Sequence, residues 1–421
     1  MPPADAGPFT QGLRIAIVGG AIAGCTAAIE LSRLGCAVTV FERSAGRLED
    51  RGAGIASSLQ HLELLTARDL IDADMPTVLP DPTRIFTVPS DGDARGRILW
   101  ETPLRAACLT WGVLFANLRK RVPPASYQHG CAVTEVDERA NGTVQLCLQD
   151  GRRCAVDLVI FADGITSLGR RSLYPAAVPT YVGYVVWRGL VPEEAAPPAM
   201  LEHGLEFAVH DGGHCVFYPV PDPERPGKVL LNWGWYLQVP AADLAGLLTD
   251  RDGRVHTTSV PRGAATDAHV TTIHDLARQL LRGVAAEAIG ATTEPFIQAV
   301  YEVDIPSYYR RHICLLGDAN AVARGHGGGG AIKASQQAIA LARAMATHTS
   351  LDDALQAWNT EVQPAGSYLV HLGRVLSRAT VTETPAWQTL DAAAMERWWQ
   401  DATRNVYLYY VDDATDEKHR T

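Results

Sequence analysis

Lysine is scarce in this chain. Of 421 residues only Lys120, Lys228, Lys333 and Lys418 are lysines, and arginine supplies the other positive charges. Acids outnumber bases, for a net charge of −10. That balance excludes the electrostatic footprint of a nucleic-acid or anionic-membrane partner. The eight cysteines are scattered, with no CxxC pair and no zinc-ligand spacing, so no metal site is expected. Several sit in apolar runs, where a reduced thiol behaves as a small hydrophobe, and a cytoplasmic setting is expected. No apolar run reaches the length of a membrane span. The opening "MPPADAGPFTQG" lacks a basic stretch followed by an apolar one, so no secretory leader is expected. Internal repeats and low-complexity linkers are missing too.

What is present is punctuated by glycine. "LRIAIVGG" is a short β-branched run that predicts a buried strand. "AIAGCTAAIELSRLG" has helical periodicity and stops at Gly35, and "CAVTVFERS" is a second strand. This is a βαβ unit, which requires parallel strands. "CAVTEVDER", "GTVQLCLQDG" and "RCAVDLVIFADG" predict further strands. From about 175 to 261 the texture becomes rich in Tyr, Trp, Val, Pro and Gly, as in "YVGYVVWRGLVP" and "KVLLNWGWYLQVP", which predicts an antiparallel sheet. "HVTTIHDLARQLLRGVAAEAIG" and "AIKASQQAIALARAMATH" predict helices flanking the buried strand "HICLLGD". Beyond Leu351 the chain is expected to be mostly helical, with a frayed tail "DDATDEKHRT".

Two glycine turns carry chemistry. The first holds Gly19, Gly20, Ala21, Ile22, Ala23 and Gly24. Its G-x-A-x-x-G spacing gives a tight turn, close backbone approach to a pyrophosphate, and close helix packing. Glu42 ends the next strand, where an acid accepts from a ribose diol. The competing reading is a tight turn with an incidental acid. The second turn, "GDANAVARGHGGGGAIKASQQ", follows a buried strand and opens a helix. Asp318 there suits a ribityl or ribose hydroxyl, and the bare amides of a helix N-terminus favour negative charge. Asp163-Gly164 repeats the strand-then-Asp grammar. A flavin dinucleotide accounts for both cradles, one for its pyrophosphate and one for its ring; the alternative is a merely flexible loop.

These three motifs, in this order, resemble the single-component FAD-dependent aromatic hydroxylases, the group of para-hydroxybenzoate and salicylate hydroxylases. "GAGI", "YVGYVVWRGLVPE", "LNWGWY", "LLTDRDGR" and Arg324-x-His326 resemble its 2,6-dihydroxypyridine 3-hydroxylase branch. The resemblance implies an α/β fold: a Rossmann-like FAD-binding domain of the GR2 type, an inserted antiparallel β-sheet substrate domain, and C-terminal helices. The corresponding boundaries are 13–174 and 271–350 for the FAD domain, 175–270 for the insertion, and 351–421 for the helices. It implies non-covalent FAD, NADH or NADPH as co-substrate, and hydroxylation of a small aromatic or heteroaromatic ring through a flavin C4a-hydroperoxide. A homodimer is a further expectation. Arg43 and Arg51 would lie near adenine or pyrophosphate, and the Val133 backbone near adenine. Asp163 would serve both nucleotides, and Gly328, Gly329, Gly330, Ala331 and Ile332 the ring. The chain departs from the pattern at Trp111, where many relatives place a phosphate-touching Arg or Gln; Arg119, on the same helix, is the candidate to compensate. It also lacks the usual proline before the ring-binding glycines.

Candidates for substrate chemistry come from the aromatic sheet: Trp187, Arg188, His210, Tyr218, Trp233, Trp235 and Tyr236, with His326 beside the second cradle. Strand alternation lets about half of the sheet residues face a flavin, and a strand Trp or Tyr otherwise packs in the core. His210 and His326 are the candidate bases, because histidine titrates near neutrality; Arg188 and Tyr218 complete the catalytic candidates. "NWGWY" faintly resembles a halogenase signature, but the active lysine such enzymes need is missing. A flavoprotein oxidase without net hydroxylation is the alternative function.

Overall fold

Buried β-branched residues nucleate the first layer of the computed structural model, which describes residues 9–404 and 406 except 50, 51, 82, 105, 140, 141, 203 and 405. Strand β1 (Arg14–Val18) buries its last four residues, and helix α1 (Ile22–Arg33) is buried over most of its length. Strand β2 (Ala37–Phe41) pairs in parallel with β1. Next come β3 (Gly54–Ser57), α2 (Leu59–Ala67), and a hairpin of β4 (Thr83–Ser90) and β5 (Asp93–Pro103). Strand β6 (Ala107–Thr110) pairs with β3 and leads into α3 (Trp111–Arg119) and the short β7 (Tyr127–Gln128). Strands β8 (Val133–Glu138), β9 (Val144–Leu148) and β10 (Arg153–Val156) form a small antiparallel sheet. Strand β11 (Leu158–Phe161) then returns beside β1 in parallel and feeds α4 (Leu168–Leu173).

The aromatic region folds as expected into long antiparallel strands: β12 (Thr180–Pro192), β13 (Leu205–His210), β14 (Gly213–Pro221) and β15 (Val229–Gln238). Helix α5 (Ala241–Leu247) and β16 (Ser259–Val260) follow. The single helix expected after them is two, α6 (Asp267–Leu280) and α7 (Gly283–Gly290), broken where Arg282 takes φ 58°. Strand β17 (Phe296–Glu302) rejoins the aromatic sheet, whereas β18 (Tyr309–Arg310) and β19 (Ile313–Leu315) complete the first one. Three α-helices follow among the described residues: α8 (Gly330–Thr347), α9 (Leu351–Ser377) and α10 (Ala392–Ala402).

Two sheets therefore carry the site. One has six strands in the order β18-β19-β11-β1-β2-β7; the other has eight, β16-β17-β12-β15-β14-β13-β4-β5. The second sheet departs from the expected 175–270 insertion, because β4, β5 and β17 lie outside that segment. Ladder hydrogen bonds explain this. An edge strand leaves a row of unpaired backbone groups, and β4 satisfies those of β13 in parallel, Leu205 opposite Arg84. One face of the sheet buries Trp187, Cys215, Phe217, Trp233 and Trp235 against residues of α6 and α7. The other face turns toward α8 and the first sheet. Arg51 and the C-terminal "DDATDEKHRT" lie outside the described residues.

Candidate functional site

The first glycine turn is as tight as its spacing requires. Gly19 adopts φ 99°, and a Cβ there would fall 2.3 Å from the Ala162 carbonyl oxygen; one on Gly24 would fall 2.0 Å from the Gly19 oxygen. Gly20 donates its N–H to Glu42 Oε2 at 2.9 Å, and Ser44 donates to Glu42 Oε1 at 2.8 Å. Glu42 thus holds the turn from the end of β2. Tyr127 donates its hydroxyl to the Gly20 carbonyl at 3.0 Å, and the Arg119 guanidinium lies 4.0 Å from the centre of the Tyr127 ring.

The N-termini of α1 and α8 meet at one cavity of about 610 Å³, lined by Ala21, Ile22 and Ala23 from one and Gly329, Gly330 and Ala331 from the other. Helices α2, α3, α4, α6, α9 and α10 each carry a side-chain cap, from Ser58, Thr110, Ser167, Thr266, Ser350 and Asp391. Helices α1 and α8 start at Ala21 and Gly329 without one, as do α5 and α7, which do not line the cavity. Uncapped N–H groups facing a cavity are an anion-binding device. Beside them Asp163 accepts from the Leu168 N–H at 2.6 Å through Oδ2, while its Oδ1 is buried without a partner. Burial raises the pKa of that carboxyl. The two uncapped termini and the orphaned carboxylate oxygen fit a flavin dinucleotide. Arg170, buried at the end of the Asp163 motif, ties that motif to the second turn. Its Nη1 donates to the carbonyls of Asp318 and Ala319, each at 3.0 Å.

The far end of the cavity is built by strand parity. On β15, Asn232, Gly234 and Tyr236 face it while Trp233 and Trp235 face away. Arg188 of β12 and His214, Val216 and Tyr218 of β14 join them. Arg188 donates from Nη2 to the Gly54 carbonyl at 2.6 Å, and Asn232 Oδ1 accepts from the Gly54 N–H at 2.8 Å. Each leaves a buried donor unpartnered, Arg188 Nε and Asn232 Nδ2. Beside them on the same sheet Phe86 and Phe207 add an apolar surface, joined by Leu376 of α9 and Trp399 of α10. His326 stacks on Tyr236 with ring centroids 4.2 Å apart, and its Nε2 lies 2.9 Å from the Tyr184 hydroxyl. Burial pushes its pKa well below the ordinary histidine value. Burial also raises the Tyr218 phenol, against the opposing pull of Arg188.

Of the residues expected to matter, Ala21, Ile22, Ala23, Arg188, Tyr218, Asp318, His326, Gly328, Gly329, Gly330 and Ala331 line this cavity. Gly19, Gly20, Gly24, Glu42 and Asp163 shape its edge from behind. Arg43 is exposed and reaches Thr166, Arg119 is spent on Tyr127 and the Val122 carbonyl, and Val133 and Ile332 are not lining residues. His210 needs correction as a base. Its Nε2 accepts from Trp235 Nε1 at 2.8 Å, and its Nδ1 lies 2.9 Å from the Asp211 carbonyl, so both nitrogens are occupied away from the cavity. Trp111, the departure from the family pattern, lines the cavity and stacks on Phe115 at 5.3 Å. Sequence reasoning missed Asn232, His214 and Lys333; Asn232 shares strand parity with Tyr236, which was signal enough to find it. It also missed a buried bridge behind the cavity. The Ser57 hydroxyl lies 2.8 Å from His61 Nδ1, and His61 Nε2 lies 2.7 Å from the Ser335 hydroxyl on α8.

Comparison with known proteins agrees with this geometry. A family described as FAD binding domain-like matches residues 181–302, and one described as pyridine nucleotide-disulphide oxidoreductase matches residues 14–62. The 2,6-dihydroxypyridine 3-monooxygenase of Paenarthrobacter nicotinovorans is 29% identical over 87% of this chain and 91% of its own length. The 3-amino-4-hydroxybenzoate 2-monooxygenase of Streptomyces cremeus is 34% identical, over 49% of this chain and 54% of its own. Among solved structures, 2,6-dihydroxypyridine-3-hydroxylase from Arthrobacter nicotinovorans superposes with a TM-score of 0.81 at 26% identity, covering 90% of this chain and 96% of that one. Klebsiella pneumoniae HpxO, solved with FAD and uric acid, shares the fold at a TM-score of 0.72 and 18% identity, covering 94% of this chain and 93% of that one.

Proposed function

We infer that this chain, a single-component FAD-dependent aromatic monooxygenase, hydroxylates a small electron-rich ring that enters bearing an ionisable oxygen, a phenol or a pyridinol. One observation carries the reading: a single cavity runs from two uncapped helix N-termini to a pocket with aromatic walls and two unpartnered donors. FAD, when bound, supplies the redox and oxygen chemistry, with NAD(P)H as reductant. The first turn and α1 hold its pyrophosphate. Asp318 and the 328–331 backbone hold its ribityl chain and ring.

The protein's own part is binding, orientation and proton control. Arg188 Nε and Asn232 Nδ2 receive the ring oxygen; an ionised oxygen satisfies the guanidinium charge, and ionisation makes the ring a better nucleophile. Tyr218 stays protonated, because burial disfavours its phenolate, and it acts as a hydrogen-bond donor. His326 is neutral at physiological pH, so it passes a proton between the cavity and Tyr184 rather than storing one. Phe86, Phe207 and Trp399 exclude water from the reacting face. The test is NAD(P)H-dependent oxygen uptake with hydroxypyridines and phenols under labelled O₂. One labelled oxygen in the product is expected; peroxide matching all NAD(P)H consumed, with no labelled product for any ring tried, overturns the reading.

A further inference from the structure

A buried ammonium lies behind the second glycine turn and takes no part in the chemistry above. Lys333, in the first turn of α8, is 7% exposed and lines the cavity. Its Nζ donates to the Gly317 carbonyl at 2.9 Å and to the Ala321 carbonyl, and it lies 3.6 Å from Asp318 Oδ1. An ammonium has three protons, and here three acceptors on one short turn face it. Arg170 grips the same turn through the Asp318 and Ala319 carbonyls. Two cations therefore share a turn whose one carboxylate, Asp318, keeps 54% of its side chain exposed. Among the described lining residues, Arg188, Arg324 and Lys333 face the single acid Asp318. Arg324 is already paired with Glu302 at 2.8 Å.

At that end of the cavity the buried Lys333 and Arg170 cations stand against two carboxylates, the half-exposed Asp318 and Asp163, whose charged form burial disfavours. Burying a cation costs several kcal/mol unless something compensates it. A methionine would fill the same space without that cost. Hydride transfer from a nicotinamide delivers two electrons and one proton. The neutral oxidised ring then becomes a monoanion as the oxidised nicotinamide leaves. We propose that Lys333 is a positioning residue that tunes the reduction potential of bound flavin: it fixes the turn at 317–321 through its carbonyls and sets a positive charge behind it that favours the reduced, anionic ring.

The proposal rests on FAD occupying this cavity. It is tested by equilibrating the FAD-loaded protein with a reference dye, without NAD(P)H or oxygen, for wild type, K333M and K333R. K333M is expected to lose affinity for reduced FAD about tenfold more than for oxidised FAD, a fall of about 30 mV for a two-electron couple. K333R, which keeps the charge, is expected to stay near wild type. Should K333M not fold, K333Q removes the charge while keeping a donor, and the same fall is expected. A wild-type potential in the neutral variant overturns the proposal, as does an equal fall in K333R, since either outcome leaves Lys333 as a brace only. Failure of the wild-type protein to hold FAD would instead overturn the site assignment itself.

Discussion

Arg188 and His210 show how one strand position separates a functional side chain from a structural one. Both are polar residues in an aromatic sheet, and nothing local distinguishes them. Register decides: Arg188 pairs opposite Gly234 and faces the cavity, whereas His210 ends β13 with both nitrogens engaged. Arg188→Met is expected to weaken binding of an ionised hydroxyaromatic by about tenfold to a hundredfold, the worth of a hydrogen bond to a charged group at about 1.5–3 kcal/mol. His210→Ala leaves that affinity unchanged and destabilises the fold by about 1–3 kcal/mol, because Trp235 Nε1 loses its acceptor in the core. Ligand titration and urea unfolding of the two variants separate these outcomes. The glycine cradles were legible in the sequence because their physics is local. Arg188 and Tyr218 were legible only as candidates, since parity and burial are tertiary facts.

Among elements, the bridge from Ser57 through His61 to Ser335 joins the strand carrying Gly54 to the helix carrying the second cradle. Ser335 also donates to the Ala331 carbonyl at 3.0 Å, so His61 Nε2–H donates to it and Nδ1 accepts from Ser57. No sequence pattern announces a contact between residues 274 positions apart. Burial lowers the His61 pKa from 6.5 to about 4, and His214 likewise. Each is depressed in the folded state, so the unfolded chain binds more protons below pH 6.5. Stability is complete above that value and falls as pH drops toward 4, by about 3 kcal/mol for each histidine. Unfolding midpoints measured from pH 7 to 5 are expected to fall for wild type and to fall less steeply for His61→Gln. Identical slopes would show that His61 does not contribute. Gly19→Ala is expected to abolish FAD retention, since its Cβ has no room and φ 99° strains any side chain; the yellow colour of the purified variant reports it.

At the scale of the molecule, the cavity lies between two sheets and is closed by C-terminal helices that contribute Leu369, Leu376 and Trp399. Among the described residues the first sheet offers one glycine-cradled βαβ unit, β1-α1-β2, and NAD(P)H is expected to reach the flavin from a surface groove. Reduction is therefore expected to speed up when substrate fills the aromatic pocket and shifts the ring between exposed and buried positions. Stopped-flow reduction with and without substrate checks this, and equal rates contradict it. The eight-stranded sheet also has a consequence for how the chain is made. Its hairpin β4–β5 emerges from the ribosome about 120 residues before β13, the strand it must pair with, and β17 arrives later still. The nascent chain carries an open edge through much of its synthesis, a hazard for aggregation. Completion of the eight-stranded sheet is thus expected to wait until Glu302 has left the exit tunnel, and a fragment ending at residue 174 is expected to be insoluble on its own.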